Sequence, residues 1–462
     1  MRRAFPTCLI LVIVVQAWVF LMVPTDNNGD PNDYLVIAQG LFSRMTPFTL
    51  NRSIGYPLFI KVASLDLHNL NLLFLVQSVL FVVAIFYFAS SLSLPPILRC
   101  LVCVPALIPG IAYMQKLLFP DGLILSLLLL FMIQLVRRKV YYAAAIGLIL
   151  TAIKIFFIFL LPLVLAAWAV ENWHISVRKA YVSFCIFLLL LVPLVFAIRP
   201  FPLYQTIVQI PDFVSGQINP VGPLKELRVS CGGAAKTITD PTVLASILKQ
   251  SADEYYIPLG STVTAQLGCT QGDVRRLQRQ LILYYLSRAP LFQAKKILMN
   301  VCRAAFVFPQ NEHVGYMLRQ KADLATRFYD DRFFYEDRQV QYFRDVGLAP
   351  LKQPGLVLLR LTAHNNLLIR ALSLGILGFV PLIAWKLLKK RDVLRLAFPV
   401  VVFIAAYSVL LSWFAFIYDR YVYVNYFLWM YLIALWANET FPGLARASLA
   451  WPRPLGATSK SE

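Results

Sequence analysis

Long apolar runs, separated by short polar or charged stretches, dominate the hydrophobic pattern of this chain. Ten of the runs, at roughly 15 to 22 residues each, predict membrane-spanning helices, some of them short for an untilted crossing. They lie near residues 5–23, 72–93, 97–114, 117–136, 140–153, 155–170, 180–198, 368–388, 396–416 and 421–437. The pattern therefore predicts an all-α polytopic membrane protein, a bundle of about ten transmembrane helices.

The polar intervals divide the chain into four parts. These are an N-terminal transmembrane module at 1–198 with a first loop at 24–71, a long polar region at 199–367, C-terminal transmembrane helices at 368–437, and a tail at 438–462. The 199–367 region contains amphipathic stretches such as "RAPLFQAKKILMNVCRAAFVF". We expect it to be extracytoplasmic and mainly helical.

The fifth and sixth runs allow two interpretations. "YYAAAIGLILTAIKIFFIFLLPLVLAAWAV" predicts either two short helices or one long kinked element. Helices that break at membrane depth are tolerated where they line a cavity within the protein.

Composition and charge agree with a membrane protein and orient it. Hydrophobic residues make up 59% of the 462 residues and charged residues only 14%, which excludes an ordinary soluble domain. The net charge is +20, from 43 basic and 23 acidic residues. Basic clusters flank the spans at Arg2-Arg3, Arg99, Arg137-Arg138-Lys139, Arg178-Lys179 and Lys386 through Arg395. If the N-terminus is cytoplasmic, all of these clusters fall on the cytoplasmic side, as the positive-inside rule requires, and the C-terminus is cytoplasmic too.

Acidic residues gather just after the first span, in "NNGDPNDYLVIAQGLF". Asp30 is placed as the N-cap of a helix, Pro31 at its first position and Asp33 at its third. A carboxylate held by helix amides has a lowered pKa and stays ionised. The two acids therefore serve as caps, as catalytic groups at the membrane surface, or as both.

Other polar residues are predicted to reach the same face of the membrane. Arg52 precedes a Gly-Tyr-Pro turn and binds either lipid headgroups or an anionic ligand. Asp121 opens the fourth span as a cap or as a functional carboxylate. Lys154 stands within an apolar run, where insertion costs roughly 2.5–3.5 kcal/mol, so it needs a partner, a function or a snorkelling position. Arg420 follows Asp419 at the last turn on this side.

The seven cysteines show no metal-binding spacing. Cys231 and Cys269 both fall in the long polar region. They form a disulfide if that region faces an oxidising compartment, and remain thiols otherwise.

In order and topology, these motifs resemble the GT-C superfamily of polytopic glycosyltransferases. The likeness is to the branch of protein O-mannosyltransferases, lipid A aminoarabinose transferases and bacterial transferases that use polyprenyl-phosphate sugars. The first loop carries the Asp, Tyr, Ala and Leu of the branch at Asp30, Tyr34, Ala38 and Leu41. The later motifs are matched by Arg52, Gly55, Tyr56 and Pro57, by Asp121 where Glu is commoner, by Leu150, Thr151 and Lys154, and by Arg420 and Tyr421. The likeness covers the first 170 residues and, more weakly, the last span.

The resemblance implies a function and a role for each residue. A sugar would pass from a polyprenyl-phosphate donor to a hydroxyl of a lipid, glycan or protein acceptor, by in-line displacement with inversion. Asp30 would be the general base, with Asp33 as the alternative base. Lys154, Arg52 and Arg420 would bind the donor phosphate, and Asp121, Tyr34 and Tyr56 would orient the acceptor. Some relatives use a divalent cation such as Mg²⁺ or Mn²⁺ and others do not, so a metal shared by Asp121 and Asp30 stays open.

Two other classes compete with this interpretation. An O-antigen polymerase or ligase would use basic residues of the late polar region, here Arg303, His313 and Arg319. A lipid or solute transporter would carry polar residues at mid-membrane depth in symmetric halves, of which only Lys154 is seen. Nucleic acid is not an expected partner. The expected location is a bacterial inner membrane with a periplasmic site, in biosynthesis of a cell-envelope glycan.

Overall fold

The computed structural model describes residues 4–22, 31–41, 53–161, 163–164, 226–231, 234–240, 271–306, 365–389, 391–412 and 419–441. These residues are mainly helical, as predicted. The chain divides into two compact units, of which the first includes residues 1–176, 312–403 and 419–462 and the second residues 177–311 and 404–418.

The first unit contains most of the helices that the structure describes. Its N-terminal part holds α1 (Ala4–Met22), α2 (Pro31–Gly40), α3 (Gly55–Ala63), α4 (Leu70–Ser91), α5 (Pro96–Cys103), α6 (Pro109–Tyr113), α7 (Pro120–Val136) and α8 (Val140–Ile153). Short 3₁₀ turns follow α5, α6 and α8 at Val104–Leu107, Met114–Lys116 and Ile155–Phe159. The later helices are α11 (Asn365–Lys389), α12 (Arg391–Leu411), whose last residues belong to the second unit, and α13 (Asp419–Thr440).

Three helices of the described chain are long and apolar enough to cross a membrane, within Ala4–Leu21, Leu70–Ser91 and Ile369–Lys386. A fourth candidate is the segment predicted as a span near 97–114. It is broken, because Pro96–Leu107 and Pro109–Lys116 meet at a 67° bend. Pro105 and Pro109 lack backbone donors and prevent a continuous helix there. Shorter apolar helices lie at Pro120–Val136, Val140–Ile153 and Leu396–Leu411.

Side-chain amides hold the broken segment in place. A helix break leaves carbonyl groups without intrahelical partners. Gln16 of α1 donates to the carbonyl of Ala112 (3.2 Å), and Gln77 of α4 donates to the carbonyl of Gln115 (2.9 Å). Lys116 donates to the carbonyl of Phe20, near the C-terminal end of α1. The first and fourth helices thereby fix the irregular backbone that leads into α7.

Aromatic contacts set the direction of α13 against α4. The rings of Phe81 and Phe427 are 6.2 Å apart, and those of Phe88 and Tyr431 are also 6.2 Å apart. Both helices therefore run in the same direction along this contact. The C-terminal end of α13 lies beside the C-terminal end of α4.

Basic residues collect at this end of the first unit. Arg137, just after α7, lies 3.4 Å from the hydroxyl of Ser91 at the end of α4. The guanidinium of Arg99 is 6.0 Å from the ring centre of Phe5 at the start of α1. The end formed by these residues, called the basic end below, is opposite to the end at which Lys116 meets Phe20.

The described part of the second unit contains a β-hairpin and two helices. Strands β1 (Leu227–Cys231) and β2 (Ala234–Ile238) pair antiparallel, with Leu227 opposite Ile238. They precede α9 (Gln271–Arg288) and α10 (Pro290–Ala305), which pack together. The helices agree with the mainly helical region that was expected, whereas the hairpin was not predicted.

Candidate functional site

The centre of the candidate site is an ion pair between Asp121 and Lys154. The ammonium Nζ of Lys154 lies 3.7 Å from Oδ1 of Asp121. The Asp121 side chain is only 9% exposed and that of Lys154 is 31% exposed. Burying the Asp121 carboxylate costs desolvation energy, which the nearby ammonium offsets, and such a pair is a candidate for function.

Asp121 is placed by the first turn of α7. The N-cap of that helix is Phe119, which has no side-chain cap, and Asp121 lies two residues further on. The structure therefore does not support Asp121 as a helix cap. Its negative charge is nevertheless stabilised by the positive N-terminal end of the helix dipole. Its neighbour Gly122 allows a close approach, because a Cβ there would lie 2.7 Å from the carbonyl oxygen of Met114. The turn before α7 is thus in direct contact with Gly122, the residue that follows Asp121.

Lys154 is placed by the end of α8. The helix stops at Ile153, and Lys154 has an extended backbone (φ −149°, ψ 110°) before the 3₁₀ turn. The long apolar run is therefore interrupted at the lysine itself. Of the explanations predicted for this residue, the structure supports a partner, Asp121.

Gly55 brings α3 against the same end of α8. A Cβ on Gly55 would lie 2.6 Å from the carbonyl carbon and oxygen of Ala152 and 2.7 Å from the nitrogen of Ile153. Only glycine allows two backbones to approach so closely. The Gly-Tyr-Pro turn thus starts α3 beside Lys154.

Tyr56 is the second residue of this turn and lies within electrostatic range of Asp121. It is completely buried, and its hydroxyl donates to Oε1 of Gln77 (3.2 Å). Burial raises the pKa of Tyr56 well above its ordinary value, and electrostatic interactions with Tyr34 and with the Asp121 carboxylate raise it further. The phenol is therefore neutral at physiological pH and available only as a hydrogen-bonding group. The Tyr34 ring meets it edge-on at 5.2 Å.

The first loop contributes α2, which begins at Pro31 as predicted. Its buried residues include Tyr34, Ile37 and Ala38, with Leu41 buried just after its end, and it packs on α3. Asp33, at the third helical position, directly precedes Tyr34, so its backbone lies next to a residue that contacts Tyr56.

The other predicted site residues are not seen to join the Asp121–Lys154 pair. Asp30, Arg52 and Cys269 lie outside the described residues, as do His313 and Arg319. Arg420 is described only as the second residue of α13, and Cys231 as the last residue of β1. Arg303 lies on α10, 3.5 Å from Oδ1 of Asn300, in the second unit.

Three site residues were missed by the sequence reasoning. Gln77, Gln115 and Lys116 are all buried beside the predicted residues. Gln115 is completely buried, and neither atom of its amide has a hydrogen-bond partner among the described groups. In the sequence, Gln77 is a polar residue inside a largely apolar predicted span. Burying a polar side chain costs free energy unless it is hydrogen-bonded, and this is the feature that could have identified it.

The described residues form no group of three or more His, Cys, Asp or Glu side chains that would hold a metal ion. Asp121 faces the ammonium group of Lys154 at the distance given above. Cation sites in proteins normally combine several oxygen ligands, so Asp121 would need partners from the first loop to bind Mg²⁺ or Mn²⁺.

In comparisons with known proteins, no family model, no curated protein and no solved structure matches this chain.

Proposed function

We propose that this protein is a membrane glycosyltransferase that uses a polyprenyl-phosphate sugar as donor. The observation that carries the proposal is the Asp121–Lys154 ion pair, at the end of the first unit opposite the basic end. Under the positive-inside rule the basic end is cytoplasmic. The pair then faces the periplasm, where a lipid-linked sugar would arrive.

The proposed topology is a multi-pass bundle of about ten helices in a bacterial inner membrane, with both termini cytoplasmic. The apolar helices support a membrane location. The glycosyltransferase assignment is supported by the GT-C-like order of motifs, by the burial of Tyr56, and by the position of Gly55 beside Lys154.

The proposed reaction is a single in-line displacement. The acceptor hydroxyl oxygen attacks the anomeric carbon, a new C–O bond forms, and the bond from that carbon to the phosphate oxygen breaks. Asp30 takes the hydroxyl proton, and the polyprenyl phosphate leaves with the bonding electrons. The anomeric configuration is inverted.

The cations would stabilise the leaving phosphate. Lys154 is the best-placed cation in the described part of the site, and its charge would offset the negative charge that grows on the departing oxygen. Arg52 and Arg420 would assist it. Asp121 would hold Lys154 in position, and Tyr34 and Tyr56 would support the α2–α3 contact beside it.

The test is sugar transfer by membranes supplied with labelled polyprenyl-phosphate sugars and native lipid or glycan acceptors. Wild type is compared at matched expression with Asp30→Asn, Asp33→Asn and Lys154→Met, with Asp66→Asn as an acidic control away from the site. Loss of transfer with Asp30→Asn and Lys154→Met, but not with Asp66→Asn, supports the proposal. Equal transfer by all variants rejects it. Chelation followed by Mg²⁺ or Mn²⁺ addition decides whether a metal takes part.

One observation favours a second candidate, a lipid or solute transporter. The bent pair Pro96–Leu107 and Pro109–Lys116 is a broken helix, an element that many secondary transporters use near their binding sites. A transporter would move labelled substrate across reconstituted vesicles without forming a new glycosidic bond. Product analysis in the same transfer assay separates the two functions.

A further inference from the structure

We propose that Cys8 of α1 and Cys100 of α5 form a reversible disulfide when the protein meets a peroxide. This inference does not rest on the proposed transferase activity, because the two cysteines lie toward the basic end of the first unit, away from the Asp121–Lys154 pair. It assigns a modification site to thiols that the proposed reaction does not use.

Two helices bring three cysteines together. Cys8 lies in the second turn of α1, and Cys100 and Cys103 are three residues apart on α5, so they share one side of that helix. The helices α1 and α5 pack against each other. All three residues are free thiols. The cluster therefore joins parts of the chain that are 92 residues apart.

The thiol of Cys8 is in contact with α5 at Cys100. Its sulfur Sγ lies 3.8 Å from the carbonyl oxygen of Cys100, and it interacts with the thiols of both Cys103 and Cys100. The thiol of Cys100 donates to the carbonyl of Pro96 (3.2 Å). Thiols are weak donors, so turning the Cys100 side chain toward Cys8 breaks only a weak hydrogen bond. A disulfide between the two helices thus needs a small local movement.

Exposure makes Cys100 the thiol that reacts first. Cys100 is partly exposed, whereas Cys8 is 9% exposed and Cys103 is completely buried. Oxidation of cysteine follows the accessibility of the sulfur. Arg99, the neighbour of Cys100, has its guanidinium 6.0 Å from the ring centre of Phe5, one turn before Cys8 on α1. The charged group marks this end as the one nearest to water, from which a small oxidant arrives.

The proposed chemistry has two steps. In the first, the sulfur of Cys100 attacks one oxygen of hydrogen peroxide, the O–O bond breaks, and a sulfenic acid and one water form. In the second, the sulfur of Cys8 attacks the sulfur of Cys100, the S–O bond breaks, and a second water leaves with the thiol proton. Together, two thiols and one peroxide give one disulfide and two waters.

The disulfide would fasten α1 to the broken segment that begins with α5. Gln16 of α1 already donates to the carbonyl of Ala112, and Lys116 donates to the carbonyl of Phe20. The new bond adds a covalent attachment toward the basic end. Under the positive-inside rule this end faces the cytoplasm, where disulfides are transient and respond to oxidants. Cellular thiols would therefore reverse the modification.

The test uses the full-length protein in a mild detergent, first reduced and then treated with hydrogen peroxide. Remaining thiols are blocked with N-ethylmaleimide, and chymotryptic peptides are identified by mass spectrometry with and without dithiothreitol. Cleavage after Leu101 separates Cys100 from Cys103, so the linked residues are identified directly. The variants are Cys8→Ser, Cys100→Ser and Cys103→Ser. The matched control is Cys302→Ser, which removes an exposed free thiol from the second unit.

We expect a peptide linking Cys8 to Cys100 in wild type, in Cys103→Ser and in Cys302→Ser, and its loss on adding dithiothreitol. Cys8→Ser and Cys100→Ser should not form it. Oxidation should also raise the thermal unfolding midpoint of the wild type by roughly 5 °C, because the bond closes a long loop in the unfolded chain. Cys100→Ser should show no such rise.

Peptide mapping of the wild type needs no variant to fold, and it decides the proposal by itself. A Cys100 that stays a thiol, or that is oxidised to sulfinic acid without a link to Cys8, would overturn the proposal. A link from Cys8 to Cys103 that forms equally fast in wild type and in Cys100→Ser would also reject it, since Cys100 would then take no part.

Discussion

The carboxylate oxygen Oδ1 of Asp121 lies 3.7 Å from Nζ of Lys154, joining the first turn of α7 to the break after α8. The two helices pack against each other, and the pair lies at the end of their interface where α7 begins and α8 ends. Asp121 is largely shielded from solvent and Lys154 is partly exposed, so the pair is intermediate between a buried and a surface salt bridge.

The first prediction concerns the energy of this pair. A double-mutant cycle with Asp121→Asn and Lys154→Met should give a coupling energy of roughly 0.5–1.5 kcal/mol in the free energy of unfolding, a modest value because Lys154 is 31% exposed. Lys61 and Asp66 provide a matched control. They are closer, at 2.8 Å, but Asp66 is 65% exposed, and their coupling should be smaller. Denaturant unfolding in detergent measures both. Coupling no larger at Asp121–Lys154 than at the control would contradict the prediction.

The second prediction concerns the effect of the pair on catalysis. Lys154→Met should lower sugar transfer about 100-fold, because one stabilising charge is removed from the leaving phosphate. Lys154→Arg should retain more activity than Lys154→Met. If both variants transfer sugar at the wild-type rate, Lys154 has only a structural role.

The third prediction tests the close approach at Gly55. Gly55→Ala places a methyl group 2.6 Å from backbone atoms of Ala152, which cannot move as a flexible side chain can. It should lower the free energy of unfolding by about 1–3 kcal/mol. Gly375→Ala on α11 is the control, since a Cβ there meets nothing within 4 Å. Thermal unfolding in detergent compares them. Equal stability of the two variants would show that the α3–α8 contact adjusts freely.

The fourth prediction concerns the buried amide of Gln77. Gln77→Leu loses the bonds to Tyr56 and to the carbonyl of Gln115, and should destabilise the protein by about 1–2 kcal/mol. Gln134→Leu, at the basic end, loses a bond to the hydroxyl of Tyr87 and serves as the control. We expect sugar transfer to fall only for Gln77→Leu. A similar fall in both variants would mean that loss of stability alone explains it.

The fifth prediction follows from the raised pKa of Tyr56. Unfolding lets the phenol ionise near pH 10, so the stability that comes from the neutral buried form is complete below that pH. It is lost as the pH rises further toward the folded-state pKa. Tyr56→Phe should therefore weaken the alkaline fall in the unfolding midpoint, whereas Tyr141→Phe, at an exposed position, should not. Identical pH profiles from 9 to about 11 for Tyr56→Phe and wild type would refute the assignment.

Local sequence features determined a large part of this structure. The proline and aspartates after the first span predicted the start of α2 at Pro31, and the apolar runs predicted α1, α4 and α11 to within a few residues. Lys154 was predicted to need a partner, a function or a snorkelling position, and Asp121 is its partner. These features depend on neighbours a few residues apart, through hydrophobic pattern, proline geometry and the cost of burying a charge.

The tertiary structure alone decided how those pieces meet. The prolines in the run near 97–114 predict an interruption, but the sequence does not give the 67° angle of the bend. Nor does it show that Gln16 and Gln77 of other helices bond the carbonyls of Ala112 and Gln115 that follow the bend. The choice of Asp121 as the partner of Lys154 likewise follows from the packing of α7 on α8, and the need for glycine at position 55 follows from the backbone of α8. Such contacts join residues far apart in the chain, and their energies depend on distances that no local pattern contains.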